Sequence, residues 1–351
     1  MRYTPTRSSS PFDIPPPPPE LASNHPSPQP TPILTRMTAT TEVALVQAAP
    51  IPFDTPATLD RVETRAREAA GEGAELVLFP EAYLGGYPWG LRFGVSIGGR
   101  SEAGKDTFRL YWDAAITLPG PESDRLAALA RELGIHLVVG VIERIPAHGT
   151  LYCTMAYYGP DEGLLGIHRK LKPTAAERLI WGEGDGSTLP VFDTGRGRMG
   201  GLICWENYMP PARMALYQKG VEIYLAPTAD SRDRWQATLR HIAVEGRCFV
   251  LGCNQFVTRD LYPADLPIAH ELEGWPEVLC RGGSSIYGPD GTCLAGPLLD
   301  GEGIVRARLD LSEIPRQKFE FDPVGHYARS DIFRLEVDER PRRAVDFRGA
   351  D

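Results

Sequence analysis

From residue 42 onward, short continuous apolar runs alternate with longer stretches whose apolar positions recur at helical spacing. Residues 42–47 read as a strand. Asp54-Thr55-Pro56 supplies an N-cap followed by a proline in the first turn, predicting a helix that closes near Gly71. Residues 74–79 form a compact buried strand ending at Pro80-Glu81. Leu126, Leu129, Ala130 and Leu133, at i, i+3, i+4 and i+7, mark a helix that stops at Gly134 and feeds a strand over 135–142. Strands over 151–158 and 164–170 are joined across Gly159-Pro160-Asp161-Glu162-Gly163, and a second pair, 189–193 and 198–204, is joined by Gly195-Arg196-Gly197. A helix from about 210, a strand over 221–225, a helix from about 232, a strand over 249–253 and strands near 283–287 and 303–309 complete the series. Strands follow one another directly as often as they alternate with helices. That order predicts a mixed α/β domain of two packed sheets flanked by helices, not a plain doubly wound sheet.

Composition separates the ends from this body. The first 36 residues hold 11 of the 33 prolines and almost no large apolar side chains, so residues 1–36 are expected to be disordered, with Met37 as a natural start of the ordered domain. Residues 37–330 form that domain, and 331–351 are an Arg-rich tail expected at a subunit interface. The whole chain of 351 residues is 42% hydrophobic and 24% charged, and its formal net charge of -9 supplies no broad footprint for nucleic acid or an anionic membrane. No apolar run reaches the roughly 18 to 20 residues of a spanning helix. The six cysteines show neither C-x-x-C pairing nor zinc spacing, which points to reduced thiols and a cytoplasmic setting.

Three titratable groups lie at the ends of apolar strands, where sheets present shared sites. Cys204 follows 198–203 and precedes Trp205-Glu206-Asn207 and Pro210-Pro211; a thiol between a strand end and a helix start feels the helix dipole, which favours the thiolate. Glu81 ends the strand over 76–79 and opens the aromatic, glycine-rich loop Tyr83-Leu84-Gly85-Gly86-Tyr87-Pro88-Trp89-Gly90, a setting that raises a carboxyl pKa and suits a general base. Lys170 closes the strand that begins at 164, and Glu177 lies seven residues on. Taken singly, each has a bland alternative: a small buried hydrophobe, a surface acid, a solvated basic edge, an exposed helix face. Together they match attack by a thiolate on an electrophilic carbon–nitrogen group, which needs a base, a cation and an activated water. Gly195-Arg196-Gly197-Arg198-Met199-Gly200 has the G-x-G-x-x-G spacing, but a strand pattern follows it, so it is read as a hairpin turn and not a nucleotide site. Pairing Cys204 with His241 is an alternative that leaves Glu81 and Lys170 unused.

Phe79-Pro80-Glu81-Ala82, His168-Arg169-Lys170-Leu171-Lys172-Pro173-Thr174 and Gly201-Leu202-Ile203-Cys204-Trp205-Glu206-Asn207 resemble the Glu, Lys and Cys motifs of the carbon–nitrogen hydrolase superfamily. The Cys-Trp-Glu form is similar to its nitrilase branch, and the resemblance runs from about 42 to about 346. It implies an αββα sandwich that dimerises through a helical face into a four-layer arrangement, extends into spiral homo-oligomers, and uses no metal or organic cofactor. It further implies Cys204 as nucleophile, Glu81 as general base, Lys170 as electrostatic stabiliser and Glu177 as a second glutamate orienting the lysine or water; Lys172 is a rival that the Arg-Lys-Leu register sets aside. The implied substrate is a nitrile, hydrolysed to acid and ammonia. The loops 86–94 and 180–186 are similar to those of plant-type nitrilases, which suggests arylacetonitriles, indole-3-acetonitrile or β-cyanoalanine. Tyr87, Trp89, Trp205 and Glu206 are the expected substrate-binding residues, with Trp181 a pocket wall or, more in keeping with its pattern, core. An amidase or carbamoylase of the same superfamily, and an inactive scaffold recruiting partners through its proline-rich arm, are the alternative readings.

Overall fold

The computed structural model describes residues 40–345. The proline-rich segment 1–36 and the expected start at Met37 lie outside the described residues. Two sheets carry the body. The first has the order β13-β1-β2-β3-β4-β5, built from β1 (Thr40–Gln47), β2 (Leu76–Leu78), β3 (His136–Arg144), β4 (Leu151–Gly159), β5 (Gly163–Arg169) and β13 (Gly303–Asp310). The second has the order β10-β11-β9-β8-β7-β6, with β12 (Cys293–Leu299) paired to β11; its members are β6 (Phe192–Asp193), β7 (Arg198–Gly201), β8 (Ile223–Leu225), β9 (Phe249–Gly252), β10 (Phe256–Thr258) and β11 (Val278–Tyr287). At the centre of each sheet three strands run parallel, β1-β2-β3 and β7-β8-β9, while the outer strands pair antiparallel. This is the mixture of crossovers and hairpins that the strand order predicts.

The strand period of two assigns the layers. On β1, Val43 and Leu45 point into a core shared with Met199, Ile223, Leu225, Phe249 and Leu251 of the second sheet. Ala44 and Val46 point the other way, against Leu59, Val62 and Ala66 of α1 (Thr55–Gly71) and Leu126, Leu129 and Ala130 of α3 (Pro121–Leu133). The outer face of the second sheet is covered by α4 (Pro210–Gln218) and α5 (Asp233–Gly246), whose Leu216, Leu239 and Ile242 meet Tyr224 and Val250. The result is an α-β-β-α sandwich. Each fully buried aliphatic side chain in these interfaces stabilises by about 1.5–3 kcal/mol, so a register slip of one residue on any central strand would expose a whole row.

The predicted boundaries hold where local chemistry sets them. The Asp54 carboxylate accepts from Ala57 N at 2.9 Å and opens α1, and Gly134, at φ 65°, ends α3. Gly195-Arg196-Gly197 forms the turn between β6 and β7, as read. Among the differences are two strands and one helix. The strand expected over 198–204 ends at Gly201, and 189–193 is ordered as strand only at Phe192–Asp193. A helix, α2 (Glu102–Ala114), was not anticipated; it buries Tyr111 with Gly104, Thr107 and Ala114 and packs Phe108, Leu110 and Trp112 against the core.

Candidate active site

The carboxyl ends of β2, β5, β7 and β8 converge between the sheets, and each delivers one polar side chain. Glu81 follows β2 in a turn that lies directly on β3. A Cβ at Gly140 would collide with the Pro80 carbonyl and stand 2.9 Å from the Glu81 Cα, and Tyr83 N and Leu84 N both donate to the Gly140 carbonyl, at 2.8 and 3.0 Å. Only glycine permits that approach. Lys170 is the first residue past β5, its N–H still paired to Cys153 O at 2.8 Å. Cys204 is held beyond β7 by its N–H to Pro227 O at 2.8 Å, while Asn207 Nδ2 donates to the carbonyls of Leu202 and Cys204. Among the described residues seven non-glycines adopt positive φ, and three of them border this site: Ala82 at 49°, Ala175 at 47° and Cys204 at 52°. Such backbone persists only where the surroundings over-determine it.

The side chains form one connected cluster. The Lys170 ammonium donates to Glu81 Oε1 and to Glu177 Oε2, each at 2.6 Å, and is fully buried. Glu177 also accepts from Tyr87 OH at 2.7 Å and from Thr174 N at 2.5 Å, which anchors the short turn Ala175–Leu179. Glu81 Oε2 is buried with no hydrogen-bond partner at ordinary length, and the Cys204 thiol lies near enough to help keep this carboxyl charged. Thr228 Oγ1 stands 3.1 Å from Cys204 Sγ. The Lys170 ammonium also lies 5.6 Å from the ring centre of Trp181.

Burial dominates the proton affinities here. It raises the Glu81 carboxyl above the ordinary glutamate range although Lys170 pulls the other way. For Lys170, burial opposes the charged form, but Glu81, Cys204 and Glu177 outweigh it and hold the ammonium protonated. Burial, reinforced by Glu81, pushes the Cys204 thiol far up. This overturns the expectation that a helix start would lower it. Cys204 opens a short turn, Cys204–Tyr208, and α4 begins only at Pro210, so no long helix ends on the sulfur and desolvation prevails. Burial therefore favours the neutral form of this thiol.

A cavity of about 360 Å³ opens on Cys204 and is walled by Tyr87, Trp89, Trp205, Asp230 and Arg232, with Glu177 at its edge. A second, of about 670 Å³, continues outward past Tyr87, Trp89 and Glu177 to His270 and Trp275. Three of the expected substrate-binding residues therefore line the inner cavity. Glu206 does not. It is buried behind the turn, accepting from His168 Nε2 at 2.9 Å, Ile203 N at 2.7 Å and Leu171 N at 2.5 Å. His168 directs its other ring nitrogen at Thr188 O, 2.5 Å away; burial works against its charged form, but Glu206 and this carbonyl overcome it and raise the pKa. The pair ties the Lys170 strand to the Cys204 turn, so Glu206 belongs to the support of the site. Trp181 is likewise core, set behind Tyr87 with ring centres 5.6 Å apart. Lys172 points outward and pairs with Glu183. His241 is exposed on α5, 3.5 Å from Glu245, and makes no contact with Cys204, which removes the Cys-His alternative.

Residues the sequence reading missed hold the aromatic loop in place. Tyr262 OH bonds the Tyr87 carbonyl and accepts from Trp89 N at 3.1 Å, and the Glu271 carboxylate accepts from Arg92 N and Gly94 N. These are loop-to-loop contacts across more than 170 residues and carry no periodic signal.

Comparison with known proteins agrees with this geometry. The chain matches the carbon-nitrogen hydrolase family over residues 42–319. It is 55% identical over 317 residues to the bifunctional nitrilase/nitrile hydratase NIT4A of Lupinus angustifolius, covering 89% of this chain and 90% of that one. It is 53% identical to an aliphatic nitrilase of Sinorhizobium fredii, over 86% and 97% of the two chains. Among solved structures, Nit3 of Saccharomyces cerevisiae superposes with a TM-score of 0.64 at 24% identity, over 83% of this chain and 98% of that one, a likeness of fold alone. A buried Glu-Lys-Cys cluster at the strand ends of an α-β-β-α sandwich, with relatives this near, makes the chain an enzyme of the carbon–nitrogen hydrolase family, in its nitrilase branch.

Proposed function

We propose that the chain hydrolyses an organic nitrile to a carboxylic acid and ammonia through a thioimidate and then a thioester on Cys204. The observation that carries this reading is the Lys170 ammonium clasped at 2.6 Å by both Glu81 and Glu177 beside the cavity that exposes the Cys204 sulfur. Glu81 takes the thiol proton as the sulfur attacks the nitrile carbon, and the nitrogen that gains charge is stabilised by Lys170 and protonated. A water, deprotonated by a carboxylate, adds to the thioimidate carbon; collapse with C–N cleavage releases ammonia and leaves a thioester. A second water cleaves the C–S bond, giving the acid and restoring the thiol. Collapse with C–S cleavage instead gives an amide, an outcome in keeping with relatives named as both nitrilase and nitrile hydratase. Because a nitrile is linear, the cavity must present it end-on to the sulfur.

Tyr87, Trp89 and Trp205 offer flat apolar walls, which supports arylacetonitriles, indole-3-acetonitrile among them, as substrates. A short nitrile such as β-cyanoalanine or an aliphatic compound is the second reading, favoured by the modest 360 Å³ of the inner cavity. The chain works in the cytoplasm, where its six unpaired cysteines remain reduced, and as a homodimer or higher spiral assembly. The tail supports the assembly: Phe333 and Leu335 are 76% and 49% exposed and border a groove of about 680 Å³ against Met214 and Lys219 of the α4 region. Sedimentation as a monomer at micromolar concentration would remove that part of the reading.

The central test offers purified protein and its Cys204→Ala variant phenylacetonitrile, indole-3-acetonitrile and β-cyanoalanine beside the matching amides. Ammonia plus acid from a nitrile is expected, and is lost in the variant. Turnover of amides alone would move the chain to amidase chemistry, and full turnover by the variant would sink the Cys204 pathway.

A further inference from the structure

The wall of the inner cavity also carries a guanidinium whose hydrogen-bonding capacity is only half used. Arg232 turns back on Asp230: its Nε donates to Oδ1 at 2.7 Å, its Nη2 donates to Oδ2, and its own backbone N–H donates to Oδ1 at 3.0 Å. Trp205 completes the clamp, donating from Nε1 to Asp230 Oδ2 at 2.9 Å and lying under the guanidinium with 5.0 Å between its ring centre and Arg232 Cζ. Asp230 is in turn held by its N–H to Thr228 Oγ1 at 2.9 Å, the same hydroxyl that stands beside the Cys204 sulfur, and by Asn254 Nδ2 on its carbonyl. The guanidinium is therefore tied to Cys204 through three successive hydrogen bonds, Cys204–Thr228, Thr228–Asp230 and Asp230–Arg232.

A planar guanidinium offers two forks, one from Nε and Nη2 and one from Nη1 and Nη2. Asp230 takes the first. The second is unoccupied: Nη1 makes no hydrogen bond among the described residues, and the Arg232 side chain is 49% exposed where it lines the cavity. The other charged groups of the cavity are already committed, Glu177 to Lys170, Tyr87 and Thr174, and Asp230 to Arg232 and Trp205. A fork held flat by a carboxylate on one side and an indole beneath loses little side-chain freedom when it binds a second planar anion.

We infer that Arg232 is a specificity-determining residue that receives, on its Nη1–Nη2 edge, a carboxylate borne by the substrate, so that the preferred substrates are nitriles carrying a carboxylate a few bonds from the cyano carbon. This rests on the nitrile-hydrolase reading above and takes its short-nitrile branch over the arylacetonitrile one. The anchored carboxylate and the attacked nitrile carbon then span the cavity from Arg232 to Cys204, with the intervening chain against Trp205. The same chemistry is offered by a simple cyano acid and by a cyano amino acid, which differ only in an ammonium.

The experiment measures kcat/KM of the wild-type enzyme, Arg232→Gln and Arg232→Lys for 3-cyanopropanoate, its methyl ester, and β-cyanoalanine. The expected result is a wild-type preference for the free acid over the ester, with the acid-to-ester ratio falling about 30-fold in Arg232→Gln. Arg232→Lys recovers only part of it, because an ammonium keeps the charge and loses the fork. Reading the ratio cancels any general damage to the site. Equal loss for 3-cyanopropanoate and β-cyanoalanine assigns the anchor to the carboxylate they share; wild-type turnover of β-cyanoalanine but not of 3-cyanopropanoate overturns the inference, because the carboxylate alone then does not select the substrate. An unchanged ratio in Arg232→Gln, or a wild-type preference for the ester, overturns the inference while leaving nitrile hydrolysis intact. Absence of ammonia from every nitrile would overturn the function itself.

Discussion

The buried cluster beside Cys204 and the wall of the inner cavity hold cations in opposite ways. In the cluster, the Lys170 ammonium has no exposed surface and both neighbouring carboxylates are spent on it. On the wall, the Arg232 guanidinium is half-exposed, clamped along one edge and open along the other. A buried point charge fully neutralised by its neighbours is suited to stabilising charge that develops for a moment at the reacting atoms. A half-open fork at the surface of the cavity is suited to selecting a group present throughout the reaction. The proposed division of labour, chemistry at the buried cation and recognition at the half-open one, follows from that difference.

The sharpest way to break this comparison is to remove the buried cation. In Lys170→Met, Glu81 and Glu177 face each other without it, and leaving buried carboxylates unpaired costs about 3–5 kcal/mol. Ammonia release from any nitrile is expected to fall below detection, and urea denaturation should show a loss of that size that shrinks as pH falls. The sign follows from linkage: Lys170 is what opposes burial at Glu81, so without it the Glu81 carboxyl rises further, and the variant binds protons on folding and is relatively more stable in acid. A variant as stable as the parent at neutral pH would show that the cluster is not electrostatically coupled.

The second test concerns the sulfur. Because burial holds the Cys204 thiol well above an ordinary cysteine, inactivation by iodoacetamide should show no thiolate titration at or below about 8.5. A midpoint under that value would mean a preformed thiolate and would take away the need for Glu81 as base.

The smallest effect probes the recognition wall. Trp205→Phe keeps a ring beneath Arg232 but deletes the indole N–H bonded to Asp230, a loss worth about 1 kcal/mol. It should raise KM several-fold for carboxylate-bearing nitriles with little change in kcat; a fall confined to kcat would place Trp205 in the chemistry instead.

The strand ends carrying Glu81, Lys170 and Cys204 were legible because each is announced by a local apolar run, and a run of that kind reports its own burial. The helix over Glu102–Ala114 was not anticipated, although it buries Tyr111, because its remaining buried residues, Gly104, Thr107 and Ala114, are small or polar. Glu206 was misjudged for a related reason: its place beside Cys204 in the chain says nothing about which side of a tight turn it occupies, and the φ of 52° at Cys204 sends it inward toward His168. Tyr262, Glu271 and Thr228 could not be read at all, because their partners lie far away in the chain or on another strand.

Order along the chain was thus enough for the two-sheet architecture, the helix caps and the three strand ends that the fold brings together, all of which rest on periodicity and on side-chain chemistry within a few residues. Packing of the two sheets decided the rest: the neutral state of the thiol, the double clasp on Lys170, the inward turn of Glu206 and the free edge of Arg232. Those properties depend on desolvation and on distances between segments remote in the chain, and neither exists until the strands have come together.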